Sequence, residues 1–112
     1  AERQQHPQAE AELGAEQGVD RSLAALREAH ARVAALESAA EQTAEVVRIE
    51  RLSLEVGSGT QSDYLEAEAN LLGARAGLIE ARHAEVSARV ELARILGELT
   101  PEWLARTVEP RP

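Results

Sequence analysis

At 112 residues the chain has room for one domain, and a hydrophobic share of 44% with an aromatic share of only 2% argues against a compact globular core, which draws much of its buried area from rings. Twenty acidic residues stand against twelve basic ones, all Arg, for a formal net charge of −8, so the positive field and stacking faces that nucleic acid requires are missing and no nucleic-acid partner is expected. There is no cysteine for a disulfide framework, a thiolate metal site or a lipid anchor, and no run of about 18 apolar residues to cross a membrane as a helix.

Residues 1–18, AERQQHPQAEAELGAEQG, are polar and punctuated by Pro7, Gly14 and Gly18. They read as a flexible lead-in, helical in part around Ala9–Leu13. No leader peptide is legible in them, which fits a cytosolic chain, a mature chain or a piece of something larger. Asp20 can cap a helix, its carboxylate accepting from the free amides of the next turn. From there to Val56 no Gly or Pro intervenes, and Val19, Leu26, Val33, Ala40, Val47 and Leu54 recur every seven residues. Ala29 and Leu36 widen the stripe, while Thr43 and Glu50 interrupt it. Sustained heptads of this kind predict a long helix over 20–56 that packs lengthwise on another.

The stretch EVGSGTQSDY, Glu55–Tyr64, breaks the pattern. Gly57 follows the last periodic apolar residue, where a left-handed residue commonly ends a helix and glycine has no side chain to oppose it. Thr60 stands three residues before Asp63, a relative of the capping box, and Asp63 also places an anion in the first turn of the next helix. A turn over 57–60 is predicted, with Ser58 and Gly59 as its free part. A phosphate-binding loop is excluded by its neighbours, since the chain has no lysine and no strand leads into the glycines.

Beyond the turn, Leu65, Leu72, Ile79, Val86 and Ala93 repeat at seven, each followed four residues later by Ala69, Ala76, His83, Val90 and Gly97. This large-and-small pair of rows is the expected inner seam of a second helix over 61–98. Leu71, Leu78 and Leu92 form a further apolar strip, and a face that wide implies additional helices alongside. Pro101 is expected to close the helix and leave residues 100–112, with three prolines, as a tail. Two helices of equal length joined by so short a turn fold back on each other. The fold class is therefore all-α: a hairpin over 19–99, a long antiparallel two-helix coiled coil that self-associates into a helical bundle.

The motif Val56-Gly57-x-x-Thr60-x-x-Asp63-x-Leu65, followed by Glu66-Ala67 and a Leu/Ala helix, resembles the periplasmic turn of the TolC-like outer membrane efflux proteins. The resemblance covers roughly 20–100 and extends through RIERLSLE before the turn and ARVELARILGEL near the end. It implies a hairpin in the wall of a trimeric duct that runs from the outer membrane into the periplasm. Such hairpins meet the tips of a periplasmic adaptor protein, which joins the duct to an inner-membrane pump. Carried over, Val56, Gly57, Ser58, Gly59 and Thr60 form the adaptor-binding tip, with Asp63 and Leu65 supporting it. Glycine there would permit close approach and leave backbone amides and carbonyls open to the partner. The strands that build the membrane barrel of such proteins are absent from this sequence, so the chain is expected to be a soluble fragment, with membrane contact only through parts of the parent not present here.

The remaining features have plainer readings. Gly73-Ala-Arg-Ala-Gly77, extended to Ala69 and Ala81, reads as a small-residue ridge for close helix contact, Arg75 speaking against membrane insertion. His6, His30 and His83 are far apart, with His83 on the expected seam, and no metal or cofactor site is expected. Glu37, Glu41, Glu45, Glu80 and Glu85 beside Arg48, Arg82 and Arg89 read as a solvated face with i,i+3 and i,i+4 pairs. No nucleophile and base lie together, and an open hairpin offers no pocket, so catalysis is not expected. Two other readings stand beside the duct hairpin. One is a generic antiparallel coiled-coil scaffold unrelated to export. The other is the adaptor's own hairpin, where Arg48 and Leu52 suit an adaptor tip but Gly59 stands where Ser is expected.

Overall fold

A computed structural model of the chain describes residues 7–107, with side chains over 9–98. Residues 1–6 and 108–112, the outer parts of the expected lead-in and tail, lie outside the described residues. Two helices connected through Val56–Thr60 make up the rest: α1, Pro7–Glu55, and α2, Gln61–Thr107. No strand occurs among the described residues, and the fold class is the all-α helical hairpin that the heptads imply.

Both outer helix ends lie further out than the punctuation suggested. Helix α1 begins at Pro7 instead of after Asp20. Proline suits a first helical position, where its missing N–H would have no partner anyway and its fixed φ is already helical. The Ala, Glu, Gln and Leu that follow are strong helix formers, and Glu10 adds an anion to the first turn. Gly14 and Gly18 lie inside the helix, each at a cost of about 1 kcal/mol relative to Ala. At the other end α2 continues past Pro101 to Thr107. A proline inside a helix forfeits one ladder bond and crowds the preceding turn, which weakens or bends a helix without necessarily ending it.

The chain divides into two compact units. One spans Ala29–Glu85 and contains the turn. Within it the helices run antiparallel, as the pairings show. Val33 shares a cluster with Leu78 and Ala81, flanked by Leu36 and Ala40. Nearer the turn, Val47 shares one with Ala67 and Leu71, flanked by Ala44 and Tyr64. Two cross-helix polar contacts continue the same alignment, Glu37 to Arg82 at 3.1 Å and His30 to Glu85 at 2.6 Å.

On α1 the heptad reading places the right residues inside. Val33 and Val47 are buried, and Ala40, Leu54, Ala29, Leu36, Thr43 and Glu50 are half-buried. Thr43 can sit on that stripe because its hydroxyl donates to the carbonyls of Ala39 and Ala40, both at 3.0 Å. On α2 the expected seam is the wrong strip. Leu65, Leu72, Ile79 and Val86 are exposed, Leu72 at 68% and Ile79 at 66%. Their companions Ala69, Ala76, His83 and Val90 are exposed as well. In this unit the inner rows are Tyr64, Leu71, Leu78 and Glu85, one residue before the expected large row and so about 100° around the helix, with Ala67, Ala74 and Ala81 three residues further on. Both strips are apolar, so hydrophobicity alone did not choose between them. The alanine row at 67, 74 and 81 lets α2 come close to α1, and the start of α2 is pinned by the turn, as described below.

Glu85 departs from the solvated-face reading. It is 9% exposed and is the buried charged residue among the described side chains. A carboxylate in a seam is costly unless paired, and His30 Nδ1 donates to its Oε2 from α1. Glu37, Glu41, Glu45 and Glu80 are exposed, and Arg48 on Glu45 is an i,i+3 pair of the expected kind, but Glu37 pairs with Arg82 across the helices; Arg94 also bridges Glu91 and Glu98 within α2. The Gly73–Gly77 ridge does not pack against α1. A methyl group added at either glycine would meet nothing within 4 Å, because steps of four residues drift around the helix and only Ala81 reaches the seam.

The other unit comprises Ala1–Glu28 and Val86–Pro112. None of its described side chains is fully buried: Val19, Leu26, Leu92 and Ile95 are half-buried, while Leu13, Val86, Val90 and Leu96 are exposed.

Two outcomes test this packing. Leu71→Ala should lower the stability of the isolated chain by about 2–3 kcal/mol in urea unfolding, whereas Leu72→Ala, at the adjacent position, should change it by less than about 0.5 kcal/mol at low concentration. Equal losses would mean that the seam is misplaced. The hydrogen bond from Arg48, aided by its charge, holds Glu45 below its ordinary value of 4.5. Any stabilisation from this exposed pair is therefore present above the ordinary carboxylate range and lost as pH falls through the lowered midpoint. A carboxylate NMR titration should show that midpoint rising in Arg48→Ala.

Candidate functional site

The seven residues singled out in the sequence all lie at the turn or in the first turns of α2, and the turn can be built bond by bond. Gly57 has φ +82°, the left-handed conformation expected of a helix-ending glycine. Its amide donates to the Leu54 carbonyl at 3.1 Å, and the Ser58 amide donates to the Ser53 carbonyl at 2.9 Å. These are the two bonds of a Schellman motif, which satisfies carbonyls that a helix end would otherwise leave open. The chain then tightens further. The Gly59 amide also donates to the Ser53 carbonyl, at 3.0 Å, and the Ser58 hydroxyl approaches the same oxygen at 3.4 Å.

Thr60 starts the second helix as its capping residue. Its hydroxyl accepts from the Asp63 amide at 3.0 Å, and its carbonyl accepts from the Tyr64 amide at 3.1 Å. Asp63 is exposed in the first turn, where its charge opposes the positive end of the helix dipole. Tyr64 turns inward, half-buried in the Val47 cluster, and its hydroxyl donates to Glu68 at 3.2 Å. The turn thus sets the azimuth at which α2 leaves it, and each later heptad inherits that setting.

One expectation about the tip changes. Open amides were to be offered to a partner, yet the amides of Gly57, Ser58 and Gly59 are all used within the chain. What the tip exposes is its side chains. Val56 is 76% exposed, Leu65 is 56% exposed, and Ser58 and Thr60 are exposed between them in sequence. Apolar groups held at water on a rigid backbone suit recognition, because little further ordering is needed on binding.

The residue that sequence reasoning missed is Ser53. It contributes a backbone carbonyl, which has no sequence signature, and that oxygen gathers three donors. Elsewhere the hairpin offers little chemistry. Among the described residues no group of three metal-binding side chains comes together. A groove of about 440 Å³ along the paired helices, lined in part by Glu37, Glu41, Arg75 and Arg82, is open to solvent. No helix among the described residues is long and apolar enough to cross a membrane.

Compared with known proteins, residues 1–98 match the family model described as outer membrane efflux protein. No curated protein and no solved structure matches the chain.

The cap at the start of α2 gives a direct prediction. Thr60→Ala should cost about 1 kcal/mol and speed hydrogen exchange at the Asp63 amide, whereas Thr60→Ser, which keeps the accepting oxygen, should preserve most of both. Equal behaviour of the two variants would remove the hydroxyl from the account.

Proposed function

The chain belongs to the outer membrane efflux protein family, and from that membership and the form of its turn we propose that it is a periplasmic duct-wall hairpin whose tip docks on an adaptor protein. It is a component of an outer-membrane efflux channel. Within that role, Val56, Gly57, Ser58, Gly59 and Thr60 form the tip, and Asp63 and Leu65 support it. The observation that carries the reading is the exposed pair Val56 and Leu65 on a turn whose Gly57, Ser58 and Gly59 amides are already bonded within the chain. A partner hairpin that brings apolar side chains to that pair would find it in place without reordering the loop.

The outward strip of α2 fits the same role. Leu65, Leu72 and Ile79 are seven residues apart and open to solvent. A helix in a duct wall has neighbours on two sides, and its own hairpin covers only one. The complete duct is a trimer on this reading, and the outward strip is where the next helix of the wall lies. In isolation the same strip drives the chain toward a helical bundle.

The docking claim is tested with single cysteines in the intact channel protein in cells. Ser58→Cys is the better position, because Ser58 is exposed while Gly59 is closed in by its own helix end. Cross-linking to the adaptor hairpin should occur from Ser58→Cys and be several-fold weaker from Arg75→Cys on the helix shaft. A shaft signal as strong as that of the tip, or a shaft signal alone, would refute tip docking.

A further inference from the structure

The two glycines of the turn are there for different reasons. At Gly57 a side chain would meet nothing within 4 Å, and the requirement is conformational, a φ of +82°. At Gly59 the φ is unremarkable for any residue, and the requirement is space. A Cβ built there would lie 2.8 Å from the Ser53 Cβ, 3.2 Å from the Leu54 nitrogen and 3.2 Å from the Ser53 carbonyl carbon. None of these atoms can swing aside. One is the first side-chain carbon, fixed to the backbone, and the other two are backbone of the last turn of α1. Contact this close with fixed atoms must be relieved by moving the turn.

The same helix end receives the hydrogen bonds. The Ser53 carbonyl accepts from the Ser58 and Gly59 amides, and its Cβ is the atom that an added methyl would strike. Ser53 is thus a seat into which the Gly59 backbone settles, with two amide bonds holding it down. Lifting Gly59 off the seat would stretch those bonds and shift the carbonyls and side chains of the residues on either side.

We propose that Gly59 is a positioning residue: its missing side chain serves the seat on Ser53, and through it the presentation of Val56, Ser58 and Leu65, without Gly59 itself touching the partner. This rests on the docking reading above for its consequence, though not for the seat itself. It also reverses the usual expectation for a glycine at a docking tip, that the partner approaches the bare backbone. Here the bare Cα is turned toward the chain's own helix.

The experiment is a size exchange with two readouts. Gly59→Ala, Ser53→Gly and the double variant are made in the chain, and again in the intact channel protein carrying Ser58→Cys. Hydrogen exchange at the Ser58 and Gly59 amides reads the seat with no partner present, and cross-linking of Ser58→Cys to the adaptor hairpin reads presentation. Gly59→Ala should speed exchange at both amides by about tenfold, as expected of a methyl forced against fixed atoms, and should cut the cross-linking yield several-fold. The double variant, which removes the nearest of the three contacts and leaves the two with backbone atoms, should return both readouts part of the way to the level of Ser53→Gly alone. Unchanged exchange in Gly59→Ala would overturn the seat. Restored exchange without restored cross-linking in the double variant would overturn the positioning role, because Gly59 would then be meeting the partner directly. No cross-linking from Ser58→Cys with an unsubstituted turn would overturn the docking reading and its consequence for presentation, while the exchange measurements would still decide the seat.

Discussion

The backbone of Gly59 rests against Ser53 in the last turn of α1, and much of the hairpin's geometry follows from that contact. Three donors converge on one carbonyl, and the close approach leaves no room for a side chain. With the chain held there, Thr60 caps α2 at a set distance and rotation from the end of α1. Tyr64 and Ala67 then fall over Val47, and Leu71, Leu78 and Ala81 follow at heptad spacing. A small local constraint at one end of a coiled coil is transmitted along it because a helix is stiff and its side-chain rows are periodic.

The resulting seam is slender. Among the described residues the buried apolar ones are Val33, Val47, Leu71 and Leu78 with two alanines, and none of the large side chains is completely enclosed. One seam position is spent on Glu85, a buried carboxylate that accepts a hydrogen bond from His30 opposite. Meanwhile Leu65, Leu72 and Ile79 face water on the other side of α2. As a self-sufficient two-helix protein this would be a poor distribution of apolar surface. On the duct-wall proposal it is intelligible, since a wall helix would share its apolar surface among several neighbours and not spend all of it on its own hairpin.

Local chemistry was legible wherever it depended on residues adjacent in the chain. Gly57 was read as a left-handed helix end and Thr60 as a cap from their types and positions, and both form with the expected bonds. Rules that mark where helices stop were less decisive. Pro7, Gly14 and Gly18 were read as punctuation of a flexible lead-in and Pro101 as a helix end, but Pro7 opens α1 and the other three lie within helices, because proline and glycine weaken a helix by finite amounts that strong neighbouring helix formers can offset. The role of Ser53 was invisible, since what it contributes is a carbonyl that every residue possesses. The turn amides were expected to be free, and only the fold-back of the chain shows them occupied.

The amino-acid sequence by itself determined that the chain forms two long helices, that the break between them falls around Gly57–Thr60, and which stripe of α1 turns inward. Those features follow from heptad spacing and from capping rules that act within a few residues. The motif at the turn also carried the family resemblance. Only the tertiary structure decided which of two apolar strips on α2 meets α1, that Glu85 lies in the seam with His30, and why the second glycine of the turn is a glycine. Each of these depends on the azimuth between two helices or on an approach of a few ångströms between backbones. Periodicity records that a face is apolar; it does not record which neighbour that face will meet.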